Sequence, residues 1–469
     1  MSSKQPAGGP SANTPSAAAS SAGIAKEQRK LFVTAVALGI MLNPLNTTTI
    51  SVALARIQDD FGLTFSQLSW LISTYYLASA IGQPVMGRLG DQFGRKRFFI
   101  GGLALASLAS ILAVFSPNFV WLVVFRILLG LGTSCVYTSG MSLVRHHITD
   151  QQAKFLGILT MCMSTASAIG PFLGGMLVKY GDWPAIFWIN LVFIAISFSL
   201  AFRLLPREQA KRDQRIRIDV PGIALFSTVV FAWLWFFLSL ETEPAWWMMA
   251  AGAFLLYLFI RLESRLGQPF IDVPFLRRNP VVSQIYLQYG IYNIVFYSFL
   301  FGIPIYLQTV RGLDAQQSGL MWLASAVSSV LANGLVNRYV SRNGPKRIVL
   351  FGSLCLFAGS LVMSFLADSV PIAILVVMLV LLGFGNGWSN YGLQTSLYAF
   401  IRKTETGVAS GLLMTSRYTG TIMSAGLLGM MFGSSITTAQ LRGLGIACAV
   451  LGAIAIVLSL RIPQVRLDP

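Results

Sequence analysis

Apolar stretches near twenty residues long recur from one end of this chain to the other, and nothing else in the sequence narrows its fold so far. A helix needs about 20 such residues to cross the hydrocarbon core of a bilayer, whereas a barrel strand needs only about ten. Fourteen runs can be drawn, the first over 31–54 and the last over 440–461, with short loops between most of them. Only 11% of the residues are charged and 55% are hydrophobic, where a soluble domain carries about 25% charged residues. The chain therefore reads as an all-α membrane protein embedded in a lipid bilayer.

A net charge of +17 raises the question of nucleic acid, and the position of the bases answers it. With both termini on one side, Arg56, Lys179, Arg311 and Arg442 fall on the far side and Arg126 and Arg417 fall within crossings. All the other lysines and arginines of the 34 fall on the near side. Positive loops are retained in the cytoplasm. Both termini are thus expected there, in a multi-pass protein of a bacterial inner membrane. The charge expresses topology, and no nucleic-acid partner is expected. The four cysteines lie within crossings without paired spacing and read as small packing residues. No nucleophile–base pair, metal cluster or phosphate loop stands out, so neither an enzyme nor a cofactor or metal is expected.

The crossings divide as six, two and six. A Ser-, Ala-, Gly- and Pro-rich cytoplasmic tail (1–30) precedes a six-helix half (31–205). Cytoplasmic connectors (206–279) carry an inserted hairpin (219–262), and a second six-helix half (280–462) leads to a short tail (463–469). The halves echo one another: GRLGDQFGRKR (87–97) returns as NRYVSRNGPKR (337–347), with Arg, Gly, Lys and Arg in matching places. Repeated halves with a substrate site between them at mid-membrane are a transporter design.

Several motifs together resemble the major facilitator superfamily. GRLGDQFGRKR is similar to its loop between helices two and three, and RILLGLGTS (126–134) to its helix-four pattern. SAIGPFLGGMLVKYGDWPAIFWIN (167–190) resembles its helix-five antiporter motif, and QPFIDVPFLRRNP (268–280) the linker of the fourteen-span drug:proton antiporters of EmrB/QacA type. The resemblance implies the major facilitator fold, two six-helix halves plus an inserted two-helix hairpin, exporting an amphipathic small molecule by alternating access, as a monomer and with protons as coupling ion. It implies a conformational role for Gly87, Gly90, Asp91, Gly94 and Arg95, and a bend and small-residue seam at Gly170, Pro171, Gly174 and Gly175. It also aligns Asn46 with a helix-one position that is usually aspartate.

That difference matters chemically, because an amide hydrogen bonds but neither titrates nor carries charge. Buried charge then rests on Arg126 and Arg417, each expensive in a membrane unless it faces a cavity or a partner. The run MLNPLNTTTI (41–50) offers Asn43, Asn46 and Thr49 as cavity lining. Tyr289, Tyr292 and Asn293, with Tyr286 and Tyr297 at helical spacing, offer a second wall. GFGNGWSNYGLQ (383–394) adds Asn390, Tyr391 and Gln394. Such residues serve equally as interhelical glue. A specific metabolite or lipid transporter, working without proton coupling, and a non-transporting sensor stay open as other readings.

Overall fold

The computed structural model describes residues 28–148, 152–205, 219–239, 243–267, 269–367, 370–401, 406–433 and 435–464. Most of the predicted tails, 1–27 and 465–469, and most of the first connector, 206–218, lie outside the described residues. What is described is helical throughout, in fifteen helices. The first group comprises α1 (Arg29–Phe61), α2 (Phe65–Phe93), α3 (Arg95–Val114), α4 (Phe119–His147), α5 (Gln152–Gly181) and α6 (Ala185–Leu204). Then come α7 (Val220–Ser239), α8 (Trp246–Glu263) and the short α9 (Val273–Arg278). A second group follows: α10 (Pro280–Thr309), α11 (Ala315–Asn343), α12 (Pro345–Ser364), α13 (Ile372–Phe400), α14 (Thr406–Phe432) and α15 (Thr438–Arg461).

Twelve of these helices are long and apolar enough to cross a membrane. Of the fourteen expected crossings, length and composition support twelve, since α2 and α14 fall short of that apolarity. Their sequences explain it: α2 carries Gln67, Ser69, Ser73, Thr74 and Gln83, and α14 carries Thr415, Ser416, Arg417, Thr421 and Ser424. These two polar helices pack on each other, one from each group. Ser69, Ser73 and Gln83 of α2 and Thr421 and Ser424 of α14 are buried in protein, where partners for polar groups are at hand.

The helix ends follow local chemistry. Thr64 and Gln67 close a reciprocal capping box at the start of α2, as Thr437 and Gln440 do at α15. The echo between 87–97 and 337–347 has a physical content as well. Gly94 (φ 104°) and Gly344 (φ 74°) both sit in backbone conformations that side chains rarely adopt, and each separates a 29-residue helix from a 20-residue one. Two residues on, Lys96 Nζ donates to the carbonyls of Phe202 (3.2 Å) and Leu205 at the end of α6. Lys346 Nζ donates to the carbonyl of Leu460 (2.7 Å) in the last turn of α15. Each lysine satisfies orphan carbonyls at a helix C-terminus, where a positive charge is favoured.

Packing repeats in the same way. Within the first group α3 packs on α4 and α6, and α1 on α5 and α6. Within the second, α12 packs on α13 and α15, and α10 on α14 and α15. Contacts between the groups run through α5 with α11, α2 with α14, and α1 with α10. The α7–α8 hairpin lies outside both groups, with α7 against α14 and α2.

Candidate functional site

The polar run of α1 is largely self-satisfied. Thr47 and Thr48 each donate to the carbonyl of Pro44 (2.7 and 2.9 Å), and Thr49 donates to that of Leu45 (2.8 Å). Hydroxyls that bond back along their own helix can be buried at little cost. Asn46 forms a reciprocal amide pair with Asn190 of α6, at 3.0 and 2.9 Å, and donates to the carbonyl of Leu42. Ser110 of α3 accepts a further bond from Asn190 (3.2 Å). Asn43 faces another way, donating to Thr133 of α4 (3.4 Å) and towards the Tyr75 hydroxyl.

Helix α5 is wedged against this run. A Cβ on Gly170 would stand 1.8 Å from Thr48 Oγ1, and one on Gly174 would stand 2.5 Å from the carbonyl oxygen of Thr49. Gly175 faces the other group, where a Cβ would stand 2.4 Å from the carbonyl oxygen of Ala315, and a Cβ on Gly319 of α11 would stand 2.6 Å from that of Pro171. The seam thus presses on α1 and α11 at once. Gly175→Ala forces backbone against backbone and should cost about 1–3 kcal/mol, read as a lowered thermal midpoint. Gly101→Ala on α3, where nothing lies within 4 Å, should be neutral or slightly stabilising in the same melt.

Ties between the groups gather at the end of the bundle remote from Gly94 and Gly344. Lys179 donates to Asp314 (3.2 Å) and Gln316 (2.6 Å), and Gln308 to the carbonyl of Val52 (3.0 Å). The backbone N–H of Phe65 donates to Gly433 (3.1 Å), and Ser69 Oγ to the carbonyl of Ala425 (3.1 Å). Beside them Arg56 donates two 2.9 Å bonds to Asp182, and that guanidinium holds the Asp182 carboxyl below the usual carboxylate range. Asp314 is held low as well, chiefly by the Gln317 backbone N–H and then by Lys179.

Mid-depth, where the groups meet, stands a tyrosine cluster. Tyr76 of α2 packs its ring 5.6 Å from Tyr297 and 5.9 Å from Tyr418, with Tyr75 5.8 Å behind it. Gln83 donates to the Tyr418 hydroxyl across the boundary. Two arginines flank the cluster. The Arg126 guanidinium lies 4.5 Å from the centre of the Tyr75 ring and donates only a long bond (3.4 Å) to the Asn46 carbonyl. It is 1% exposed, and its Nε and Nη2 find no acceptor among the described residues. Arg417 donates to the Tyr297 hydroxyl (2.8 Å). Neither cation meets a carboxylate: among the described residues the buried acids are Asp219 and Glu263, and both lie outside the two groups.

The predicted second wall forms its own network. Tyr289 donates to Asn390 (3.1 Å), Tyr292 to the carbonyl and side chain of Asn386, and Asn293 back to the carbonyl of Tyr289 (2.6 Å). Tyr391 and Gln394 lie on α13, half-buried beside Asn390. Gly87 and Gly90 approach Thr138 and Ser139 of α4, and Arg95 opens α3. The side chain of Asp91 lies outside the described residues. A cavity of about 330 Å³ opens elsewhere, between hairpin and second group, walled by Phe226, Ile271, Leu276, Tyr286, Gly290 and Ser416.

Sequence reasoning did not find Tyr75, Tyr76, Gln83, Tyr418 or Asn190. The signal available was the tandem tyrosine in STYYLASAIGQP, a polar and proline-bearing stretch whose low apolarity marks a helix turned toward protein.

The sequence profile of the Major Facilitator Superfamily matches residues 36–425. YwoD of Bacillus subtilis, an uncharacterized MFS-type transporter, is 38% identical over 442 residues, covering 93% of this chain and 98% of its own. The multidrug efflux pump LfrA of Mycolicibacterium smegmatis is 28% identical, covering 85% of this chain and 79% of its own. Among solved structures, a bacterial homologue of the human lysosomal transporter Spinster, inward-facing and occupied, aligns with a TM-score of 0.67 at 15% identity. That alignment covers 93% of this chain and 97% of the other, and carries the fold alone. With twelve apolar helices and a profile match over most of its length, the chain is a multi-pass membrane protein that belongs to the major facilitator superfamily, a family of transporters and not of enzymes.

Proposed function

We propose that this protein exports amphipathic small molecules across a bacterial inner membrane by alternating access, in the manner of the fourteen-span drug antiporters. On this reading α2 and α14 cross as well, sheltered by the helices around them. The lysine- and arginine-rich end is cytoplasmic with both termini, and the end tied by Lys179–Asp314 faces outward. The two six-helix groups then rock about the tyrosine cluster, with Gly170, Pro171, Gly174 and Gly175 as the moving seam and the 87–97 loop as the cytoplasmic latch. A monomer suffices for this cycle, and protons are its coupling ion. The name of LfrA, a multidrug efflux pump, agrees with this reading.

One observation carries the choice of substrate. Arg126 is buried with two unmet donors, Asn46 replaces the usual acid beside it, and no described carboxylate is buried in either group. A lipophilic cation finds no counter-charge there, whereas a neutral, zwitterionic or anionic amphiphile finds donors and aromatic faces. The test is uptake into inverted membrane vesicles, with and without an imposed pH gradient, across cationic, neutral and anionic amphiphiles. Preference for the anionic and neutral compounds supports the proposal. Selective uptake of cations would overturn it.

A further inference from the structure

Where the hairpin meets the second connector, two carboxyl groups are buried together. Asp219, just before α7, is 8% exposed, and Glu263, the last residue of α8, is fully buried. Asp219 Oδ1 accepts from the N–H of Gly222 (2.8 Å) and Oδ2 from the N–H of Phe270 (3.1 Å). Glu263 Oε2 accepts from the N–H of Ile271 (2.7 Å). The remaining oxygen, Glu263 Oε1, finds no donor among the described residues. It converges with Asp219 Oδ2 over Gly222, the two lying 2.0 and 2.1 Å from where a Cβ would stand, so the two carboxylate oxygens are within about 4 Å of each other. Phe226, with Phe259 and Phe270 packed 6.0 and 5.4 Å from it, closes the space against water.

Among the described residues no cation pairs with either of them. Helix α7 has no charged residue, and Arg261 of α8 turns to the Tyr257 ring, 5.8 Å away. In the connector, Arg265, Arg277 and Arg278 are exposed, and Asp272 caps α9 through the N–H of Phe275. Helix α10 carries no charge at all. Two carboxylates this close, with no described cation beside them, repel each other strongly, and one shared hydrogen relieves that repulsion.

We propose that Asp219 and Glu263 form a proton-binding site outside the two six-helix groups, one proton bridging Glu263 Oε1 and Asp219 Oδ2. The site does more than hold a proton. The same carboxyls grip the backbone at Phe270 and Ile271, and Ile271 walls the cavity beside α10. Losing the proton sets two negative charges in contact and loosens that grip, so the connector leading into α10 responds to pH. This inference is independent of the substrate reading above.

The first measurement is the infrared carbonyl stretch of protonated carboxylic acid in the purified full chain at neutral pH. Glu263→Gln keeps the geometry, because its amide donates to Asp219 while its carbonyl still accepts from Ile271. A band present in wild type and absent from both Glu263→Gln and Asp219→Asn is the expected result. Identical spectra in all three would overturn the proposal. So would a missing band accompanied by a melting temperature that sodium or potassium raises in wild type alone, since the pair would then hold a metal cation. Limited trypsin cleavage at Arg265 gives a second readout. Relative to Glu263→Gln at each pH, wild-type cleavage should rise roughly fivefold from neutral to alkaline conditions. Parallel pH profiles in the two proteins would show that no proton on this pair holds the connector.

Discussion

Replacing Arg126 with methionine should leave the protein as stable as before, or more so, while transport of an anionic amphiphile falls about a hundredfold. The two halves of that expectation have separate causes. In the folded protein the guanidinium is fully buried, holds one long bond and lies over the Tyr75 ring. A buried charge without a carboxylate partner carries its desolvation cost uncompensated, and an apolar side chain of similar volume removes that cost. What is lost is the pair of unmet donors, Nε and Nη2, which under the proposed function a substrate carboxylate or phosphate would answer once the groups separate. Losing one partner of a desolvated, charge-assisted contact costs roughly 2–5 kcal/mol, and about 3 kcal/mol is a hundredfold. Arg126→Lys should fail to restore transport, because an ammonium offers neither the fork nor the flat face that lies over Tyr75. Initial rates in vesicles and a thermal melt decide the matter together. Unchanged transport in the methionine variant would remove Arg126 from the substrate path, and a large fall in melting temperature would give it a structural role instead.

Reading the sequence succeeded where a residue's neighbours are its own helix or a fixed turn. Apolar runs announced the long helices, and the echo of 87–97 in 337–347 announced a repeat whose glycine and lysine can now be given work. It fell short where partners come from far along the chain. Asn46 and Arg126 could be singled out as polar residues within crossings, but not the turn of the Asn46 side chain toward Asn190, 144 residues away. The polar composition of α2 and α14 has a related cause. A helix packed on another polar helix needs less apolarity than one bathed in lipid, and sequence alone does not say which neighbours it will have. Nothing local in the sequence singles out Asp219 and Glu263, because the connector that bonds to both lies further along the chain.

The exchange of Asn46 for aspartate is the sharpest test of how the opening polar run works. The amide pair leaves one contact that suits a carboxylate: Asn190 Nδ2 already donates to Asn46 Oδ1 at 2.9 Å. The other two contacts do not. Where Asn46 Nδ2 now donates to the carbonyl of Leu42 (2.8 Å) and to Asn190 Oδ1 (3.0 Å), a carboxylate would set oxygen against oxygen. A protonated carboxyl repairs one of these contacts by donating its O–H. The ionised form must find relief elsewhere, and Arg126, bonded to the Asn46 carbonyl, is a cation at hand. Asn46→Asp therefore has two competing arrangements, one protonated and paired with α6, the other ionised and drawn toward α4. A side chain poised between two partners according to its proton is one device for coupling, and the wild-type amide does not offer it at this position. Vesicle uptake should accordingly become more dependent on an imposed pH gradient in the variant, by up to about tenfold in accumulation per pH unit for each proton exchanged. Lipophilic cations should also begin to be accepted, because a counter-charge is now available at mid-depth. Equal gradient dependence in the two proteins would mean that protons couple through another group, and that the amide at position 46 is structural cement between α1 and α6.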